Sequence, residues 1–313
     1  MIEVQDILAD DWLLFSEKIS VCPNSSAKVI NQIYQHTVCN RGKRLRASLV
    51  MLMSKALAYK GSHHIDLACV VEWLHAATLI HDDIIDGADE RSNQSCAHIK
   101  FNNTCAVLGG DYLYGMAFEN IAQLNSPEVT TCIANATTKV IEGELLQLQA
   151  LTENINSKEF YNLTIESKTA TLFQVCTEVA TILNNCSDAS YKNYGYHFGM
   201  AYQMYDDLRD YLDDPIQLGK NIGNDFRERK ITLPIIIASD NIDTEDLFAL
   251  EFTEAVAFIK QLGGFELTVV EIVQQLNLAL ATITDLDESK FKIALCNLAE
   301  HILVASKQLI AFK

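Results

Sequence analysis

Only 4 prolines and 13 glycines interrupt the 313 residues, which leaves room for long unbroken elements. No run of 18 apolar residues is present, so no membrane-spanning helix is expected. The opening MIEVQDILADDW has acid where a secretory leader needs base, and a soluble cytoplasmic protein is the expectation. Cys-x-x-Cys spacing is missing too: the nine cysteines stand singly at 22, 39, 69, 96, 105, 132, 176, 186 and 296. An odd, unclustered set argues against a disulfide framework or a zinc knuckle and fits reduced thiols packed as small hydrophobes. Positive charge is scarce, with 24 Lys and Arg against 41 Asp and Glu and a net charge of −17. Such a surface repels nucleic acid and anionic membranes, so neither is an expected partner. An anionic ligand would need bound cations and a few local bases to overcome that field.

Hydrophobic residues make up 49% of the chain, far too many for disorder. Their period is helical almost throughout, and it predicts helices near 2–20, 26–38, 44–59, 64–86, 105–124, 127–151, 158–184, 189–213, 232–239, 251–261, 266–284 and 289–311. Breaks fall at SVCPNSS, YKGSHH, NSPE, NNCSD and QLGGFE, where Ser126 can cap a helix whose first turn holds Pro127. No Asn-Gly hairpin signal lies between alternating strands. The expectation is an all-α protein with one domain over 1–313. The longest stretch without helical pattern, PIQLGKNIGNDFRERKIT at 214–231, has two glycines and four bases, which favours a functional loop.

Two helices end on the same pattern: LIHDDIIDG at 79–87 and QMYDDLRDY at 203–211. Asp82 and Asp86 stack at i, i+4, as do Asp206 and Asp210, with Asp83 and Asp207 one position round. Stacked like charges cost roughly 0.2–0.5 kcal/mol per pair on a surface, and more beside an apolar interior. Between Leu67 and Ile80 only Glu72, His75 and Thr78 are polar, so the first of these helices is buried all round and delivers its carboxylates to the rim of an interior. A solvated acidic helix end explains one such motif as well as function does; a matched pair favours a metal. An EF-hand fails, because Ile84 and Asn93 would fall at ligand positions. Oxygen-only clusters suit Mg²⁺, which keeps waters and completes its octahedron with substrate phosphates. Bases gather in RGKRLR (Arg41, Lys43, Arg44, Arg46), at Arg91, at Lys168 and at Lys220, Arg227, Arg229 and Lys230. Singly each is ordinary surface charge; beside the Asp motifs they point to diphosphate.

Taken together the residues resemble the trans-isoprenyl diphosphate synthases, or polyprenyl synthetases. GKRLR (42–46), HAATLIHDDIIDGADER (75–91), GGDYLY (109–114), EGELLQL (142–148), ESKTATLF (166–173), YQMYDDLRDYLDD (202–214) and LGKNIGNDFRERKITLP (218–234) follow the family's order. The final 70 or so residues match only as amphipathic helix. The resemblance implies a helical bundle with a central cavity, and a homodimer. It also implies an Mg²⁺-dependent head-to-tail condensation of an allylic diphosphate with isopentenyl diphosphate, with two or three ions. By the resemblance Asp82, Asp86 and Asp206 are the principal metal ligands, supported by Asp83, Asp207 and Asp210. Arg91, Lys168, Lys220 and Lys230 hold the allylic diphosphate; Lys43, Arg46 and His75 hold the isopentenyl diphosphate. Gln203 and Thr169 line the path of the allylic cation, and Asp82, Asp86, Asp206, Lys168 and Gln203 carry the catalysis. On its own residues His75 reads better as a core histidine.

The family usually has Arg-Arg-Gly after the first Asp motif, and here Arg91 is followed by Ser92 and Asn93. A lost charge-assisted contact costs roughly 1.5–3 kcal/mol, unless Arg229 supplies it. That loss motivates an alternative, a catalytically weak subunit of a heteromeric synthase; the six intact aspartates argue against it. Ala77 and Thr78, five and four residues before Asp82, are small where short-chain enzymes of the family carry aromatics. The expected product is therefore longer than farnesyl, at geranylgeranyl or beyond, with Trp73 a tunnel floor or simple core.

Overall fold

The computed structural model describes residues 4–39, 42–186, 188–212, 222–240 and 242–311, and they are helical almost throughout. In chain order come α1 (Val4–Leu8), α2 (Asp10–Ser20), α3 (Lys28–Thr37), α4 (Leu45–Ala56) and α5 (His63–Ile85). Strands β1 (Glu90–Arg91) and β2 (Gln94–Ser95) precede α6 (Ala97–Phe101), α7 (Asn103–Gln123) and α8 (Pro127–Glu153). Next are α9 (Lys158–Ile165), a π turn (Glu166–Ala170), α10 (Thr171–Leu183), a 3₁₀ turn (Ala189–Tyr191) and α11 (Lys192–Leu212). The chain ends with α12 (Asn224–Arg227), α13 (Leu233–Ala238), α14 (Thr244–Phe248), α15 (Phe252–Gln261), α16 (Gly264–Ala281) and α17 (Lys290–Ala311).

The punctuation acts as its chemistry requires. Ser126 Oγ accepts from the Val129 amide at 3.3 Å, with Pro127 as the first residue of α8. The single helix expected over 158–184 is broken by the π turn. A hairpin, unexpected from the sequence, pairs Glu90 with Ser95 and Arg91 with Gln94. Its two-residue turn is Ser92–Asn93, at φ 53° and 60°, the backbone of a type I′ turn. Strands of two residues leave no alternation to read. Of the loop at 214–231, residues 214–221, including Lys220, lie outside the described residues; the rest forms α12 and the approach to α13.

Contacts divide the chain into two compact units interleaved in sequence. The first is Met1–Asn135 with Val175–Lys192 and Leu286–Leu295; the second is Ala136–Gln174, Asn193–Asp285 and Cys296–Lys313. In the first, α5 is buried all round: Leu67 to Val71, Ala76 and Ala77 are enclosed, with Trp73 at 3% exposure. The core of the second includes rings of α11: Phe198 lies 5.5 Å from Phe173 and 5.9 Å from Tyr194, while Tyr211 lies 5.8 Å from Phe265. Each such buried side chain contributes roughly 1.5–3 kcal/mol. Among the described residues α17 alone has the length and composition to cross a membrane. Its buried Ala294, Leu295, Ala299, Ile302 and Ser306 recur at helical spacing, opposite polar positions such as Glu300 and Lys307, which is the pattern of a helix with one packed face.

Candidate active site

In the first unit the acidic motif is built by how α5 stops. Gly87 takes the left-handed conformation (φ 62°), its amide bonds the Ile84 carbonyl at 3.3 Å, and the Ala88 amide bonds the Asp83 carbonyl at 3.0 Å. This is the Schellman stop that Gly permits. It leaves Asp82 and Asp83 buried, at 8% and 5% exposure, and Asp86 exposed. The chain then reverses through the hairpin and brings Arg91 back, so that its Nε donates to Asp83 Oδ1 at 2.6 Å.

The basic motif is set by Glu72, the acid in the middle of α5. Its Oε2 pairs with Arg44 Nη1 at 3.0 Å and its Oε1 accepts from the Ala47 amide at 3.1 Å, capping α4. Arg44, left-handed at φ 53°, also donates to the Val38 carbonyl. It is thus an anchor, while Lys43 projects into solvent and Arg46 stands a half-turn on. Burial, together with Arg46, Arg91 and Arg44, pushes the His75 imidazolium well below its ordinary range. His75 is therefore neutral at pH 7, one donor and one acceptor beside three guanidiniums. The structure brings Arg46, His75 and Arg91 together with Asp83.

In the second unit the π turn carries Lys168 and Thr169. Two glycines let neighbouring backbones touch it: a Cβ on Gly143 would lie 2.3 Å from the Lys168 amide nitrogen, and one on Gly199 would lie 2.7 Å from Ala170 Cα. Lys168 Nζ pairs with Glu144 at 2.6 Å. Thr169 Oγ1 donates to Gln203 Oε1 at 2.7 Å, and Gln203 Nε2 donates to Asp207 Oδ1 at 2.7 Å. The Tyr161 hydroxyl donates to Asp207 Oδ2 at 2.7 Å. Even so, burial and the nearby Asp225 push the Asp207 carboxyl up to about 7. Asp210 is buried and accepts from the Asp225 amide at 2.9 Å. Asp206 is the most open of the three, with Arg209 at 3.7 Å.

Among the described residues no group of three or more His, Cys, Asp or Glu side chains forms a metal cage by itself. The donors present still fit Mg²⁺, which takes one or two carboxylates and completes its shell with water and phosphate. Burial and the nearby Asp225 raise the Asp207 carboxyl, so a cation bound beside it would be favoured.

The sequence profile described as Polyprenyl synthetase matches residues 27–256. The chain belongs to the polyprenyl synthetase family. It is 36% identical to the octaprenyl diphosphate synthase of Escherichia coli (strain K12) over 239 residues, 75% of this chain and 74% of that protein. The crystal structure of a decaprenyl diphosphate synthase from Rhodobacter capsulatus superposes with a TM-score of 0.89 at 29% identity, covering 97% of this chain and 98% of that one. A polyprenyl synthase from Caulobacter crescentus CB15, complexed with calcium and isoprenyl diphosphate, gives 0.87 at 28% identity, covering 96% of each chain. The all-α fold is that of the family.

Within this polyprenyl synthetase several expected residues already have partners in the protein. Lys230 Nζ lies 2.6 Å from Glu228 and 3.6 Å from Asp225. Arg229, the suggested replacement for the second arginine, pairs with Glu245 and lies 5.3 Å from the Phe248 ring centroid. Its left-handed backbone (φ 59°), just past α12, fixes that direction. Trp73 is core, since its Nε1 donates to the Tyr34 hydroxyl at 2.9 Å, which in turn donates to the Ile19 carbonyl at 2.8 Å. Nine residues separate Trp73 from Asp82, half a turn off in phase, so it is on the far side of α5. Tyr161, Glu72 and Asp225 were missed as supports. Glu72 had a signal, an acid isolated on an apolar helix; Tyr161 had none, and Asp225 was masked by the bases around it.

Proposed function

We propose that the chain is one catalytic domain, a Mg²⁺-dependent trans-prenyltransferase that condenses an allylic diphosphate with isopentenyl diphosphate. The observation that carries this is the gathering of Arg46, neutral His75 and Arg91 next to the buried Asp82 and Asp83. Cations for one diphosphate and carboxylates for the ions of another stand in one neighbourhood.

Asp82, Asp86 and Asp206 are the carboxylates offered to Mg²⁺, with Asp83, Asp207 and Asp210 in supporting roles. When bound, the ions neutralise charge on the departing diphosphate, the largest barrier term in such an ionisation. Lys168 and Arg91, with Lys220 and Lys230 in supporting roles, balance the rest of the allylic diphosphate. Lys43, Arg46 and His75 hold isopentenyl diphosphate; His75, being neutral, accepts or donates a hydrogen bond without adding to the charge of the three guanidiniums. Gln203, fixed between Thr169 and Asp207, presents an amide dipole to the developing allylic cation. No side-chain nucleophile is required.

The product is geranylgeranyl diphosphate or longer. Thr78 stands one turn before Asp82 on its face and keeps some exposure, and Ala77 is small. Octaprenyl and decaprenyl synthases among its relatives support the long-chain reading. The enzyme works as a homodimer; exposed Leu108 on α7, and Ile141, Leu145 and Leu148 at helical spacing on α8, suit burial by a second copy. Nothing in the comparisons supports the weak-subunit alternative. The test is incubation of purified protein and Mg²⁺ with isopentenyl diphosphate and each allylic primer, then chromatography of the dephosphorylated products. Chains of C20 or longer are expected; no turnover with any primer overturns the proposal.

A further inference from the structure

Among the described residues two cysteines meet away from the carboxylate clusters, where the ends of α2 and α3 come together. Cys39 follows α3, and its thiol approaches the Ser20 carbonyl at 3.9 Å. That carbonyl is two residues from Cys22, whose thiol lies within hydrogen-bonding reach of Cys39. Both are free, partly exposed cysteines. Tyr34 holds the frame: its hydroxyl donates to the Ile19 carbonyl, and its own carbonyl accepts from the Val38 and Cys39 amides at 2.8 and 3.2 Å. Cys39 also lines a surface cavity of about 400 Å³ with Gln35, His36, Gln94, Lys100 and Phe101. On its wall Lys100 Nζ stands 3.3 Å from His36 Nδ1. The thiol pair is thus reachable by a small solute, through a mouth that favours an anion.

We propose that Cys22 and Cys39 form a reversible disulfide, made by exchange with a small anionic disulfide that enters this cavity, and that closing it shifts the basic loop. One thiolate attacks the external disulfide, forms a mixed disulfide and releases one thiolate of the reagent. The second cysteine thiolate attacks the mixed disulfide and releases the other. Two cysteine thiols are oxidised, one external disulfide is reduced to two thiols, and the two protons pass to water or to the released thiolates. Closing the pair from contact to a bond of about 2.05 Å draws the Cys39 backbone roughly 1–2 Å toward Cys22. Next to Cys39 is Val38, whose carbonyl accepts from Arg44, and Arg44 stands between Lys43 and Arg46. The bond therefore pulls on the segment assigned to isopentenyl diphosphate. That coupling rests on the prenyltransferase reading; the disulfide itself does not.

The test treats the full-length protein with oxidised glutathione and reads both peptide mass and kinetics. The expected result is a Cys22–Cys39 cross-linked peptide, two hydrogens lighter than the reduced pair. It should be accompanied by a KM for isopentenyl diphosphate raised roughly 3- to 30-fold, as loss of part of a charge-assisted contact gives. A thiol reductant restores both. Cys22→Ser and Cys39→Ser should keep the reduced protein's KM and lose the response. If both thiols stay free, or carry separate glutathiones, while the equally accessible Cys105 or Cys186 is modified, the pair is not a switch. A cross-link that leaves KM unchanged overturns the coupling. Reduced protein that turns over no primer would instead count against the prenyltransferase reading, and the mass result would stand alone.

Discussion

Arg91 reaches back across a two-residue turn to place its Nε 2.6 Å from Asp83 Oδ1, so the middle carboxylate of the first acidic motif is neutralised by the base that follows it. Asp83 is buried and Arg91 partly so, and breaking such a pair from one side leaves a charge without its counterpart. Asp83→Asn should therefore act through Arg91. We expect a rise of ~10- to 100-fold in KM for a diphosphate substrate, with Mg²⁺ dependence little changed, in steady-state kinetics. A mutant altered chiefly in its Mg²⁺ requirement would make Asp83 a metal ligand instead.

Ser92 stands where the family usually has a second arginine, at a left-handed turn position that its backbone already occupies. Ser92→Arg therefore adds a guanidinium without a new backbone strain. Calorimetric titration of isopentenyl diphosphate should show affinity improved by up to ~10-fold, and thermal melting should shift by no more than the equivalent of about 0.5 kcal/mol.

The π turn leaves no room at its flanks. Gly143→Ala would bring a methyl within 2.3 Å of the Lys168 amide nitrogen and 2.7 Å of its Cα, backbone atoms that cannot rotate away. A loss of about 2–4 kcal/mol in denaturant unfolding is expected, with turnover reduced beyond what the stability change explains because Lys168 and Thr169 are displaced together.

Asp207 gives a pH signature. Its folded carboxyl is pushed up to about 7 by burial and Asp225, against 3.8 as the ordinary value. The protonated form is the one the fold favours, so its contribution to stability is complete below the unfolded value and is lost as pH rises through about 7. Between pH 5.5 and 8 the metal-free protein should lose stability with rising pH, and Asp207→Asn should flatten that slope. His64, lowered by burial despite Asp11, and His75, lowered by burial and its arginines, act with the opposite sign below their ordinary range, so the comparison with Asp207→Asn isolates the carboxyl.

Product length should respond to bulk on the Asp82 face of α5. Thr78→Tyr is expected to shorten the chain released, seen in chromatography of dephosphorylated products. Ala77→Tyr should shorten it too, but Ala77 is fully enclosed, so that variant should also melt earlier.

Much of this was legible in the sequence. The long helices were, because apolar residues recur at 3.6-residue spacing and the breaks fall on residues with a capping or turn role. Six aspartates and the bases around them were legible through their spacing and type. What escaped were features whose cause is tertiary. The π turn at Glu166–Ala170 packs against Gly143 and Gly199, which lie far off in sequence. The hairpin at Arg91 is too short for alternation. Sorting Arg44 from Arg46 needed Glu72, 28 residues from Arg44, to be seen beside it.

Glu72 also sets a spacing. It fastens the basic segment to α5 ten residues before Asp82, and along an α-helix ten residues are about 15 Å. The distance from the anchored loop to the first carboxylate is thus written in unbroken helix, like the interval between two marks on a rod. Loops elsewhere in this chain can lengthen or shorten; one residue added between Glu72 and Asp82 would turn the acid by about 100° and carry it off its bearing.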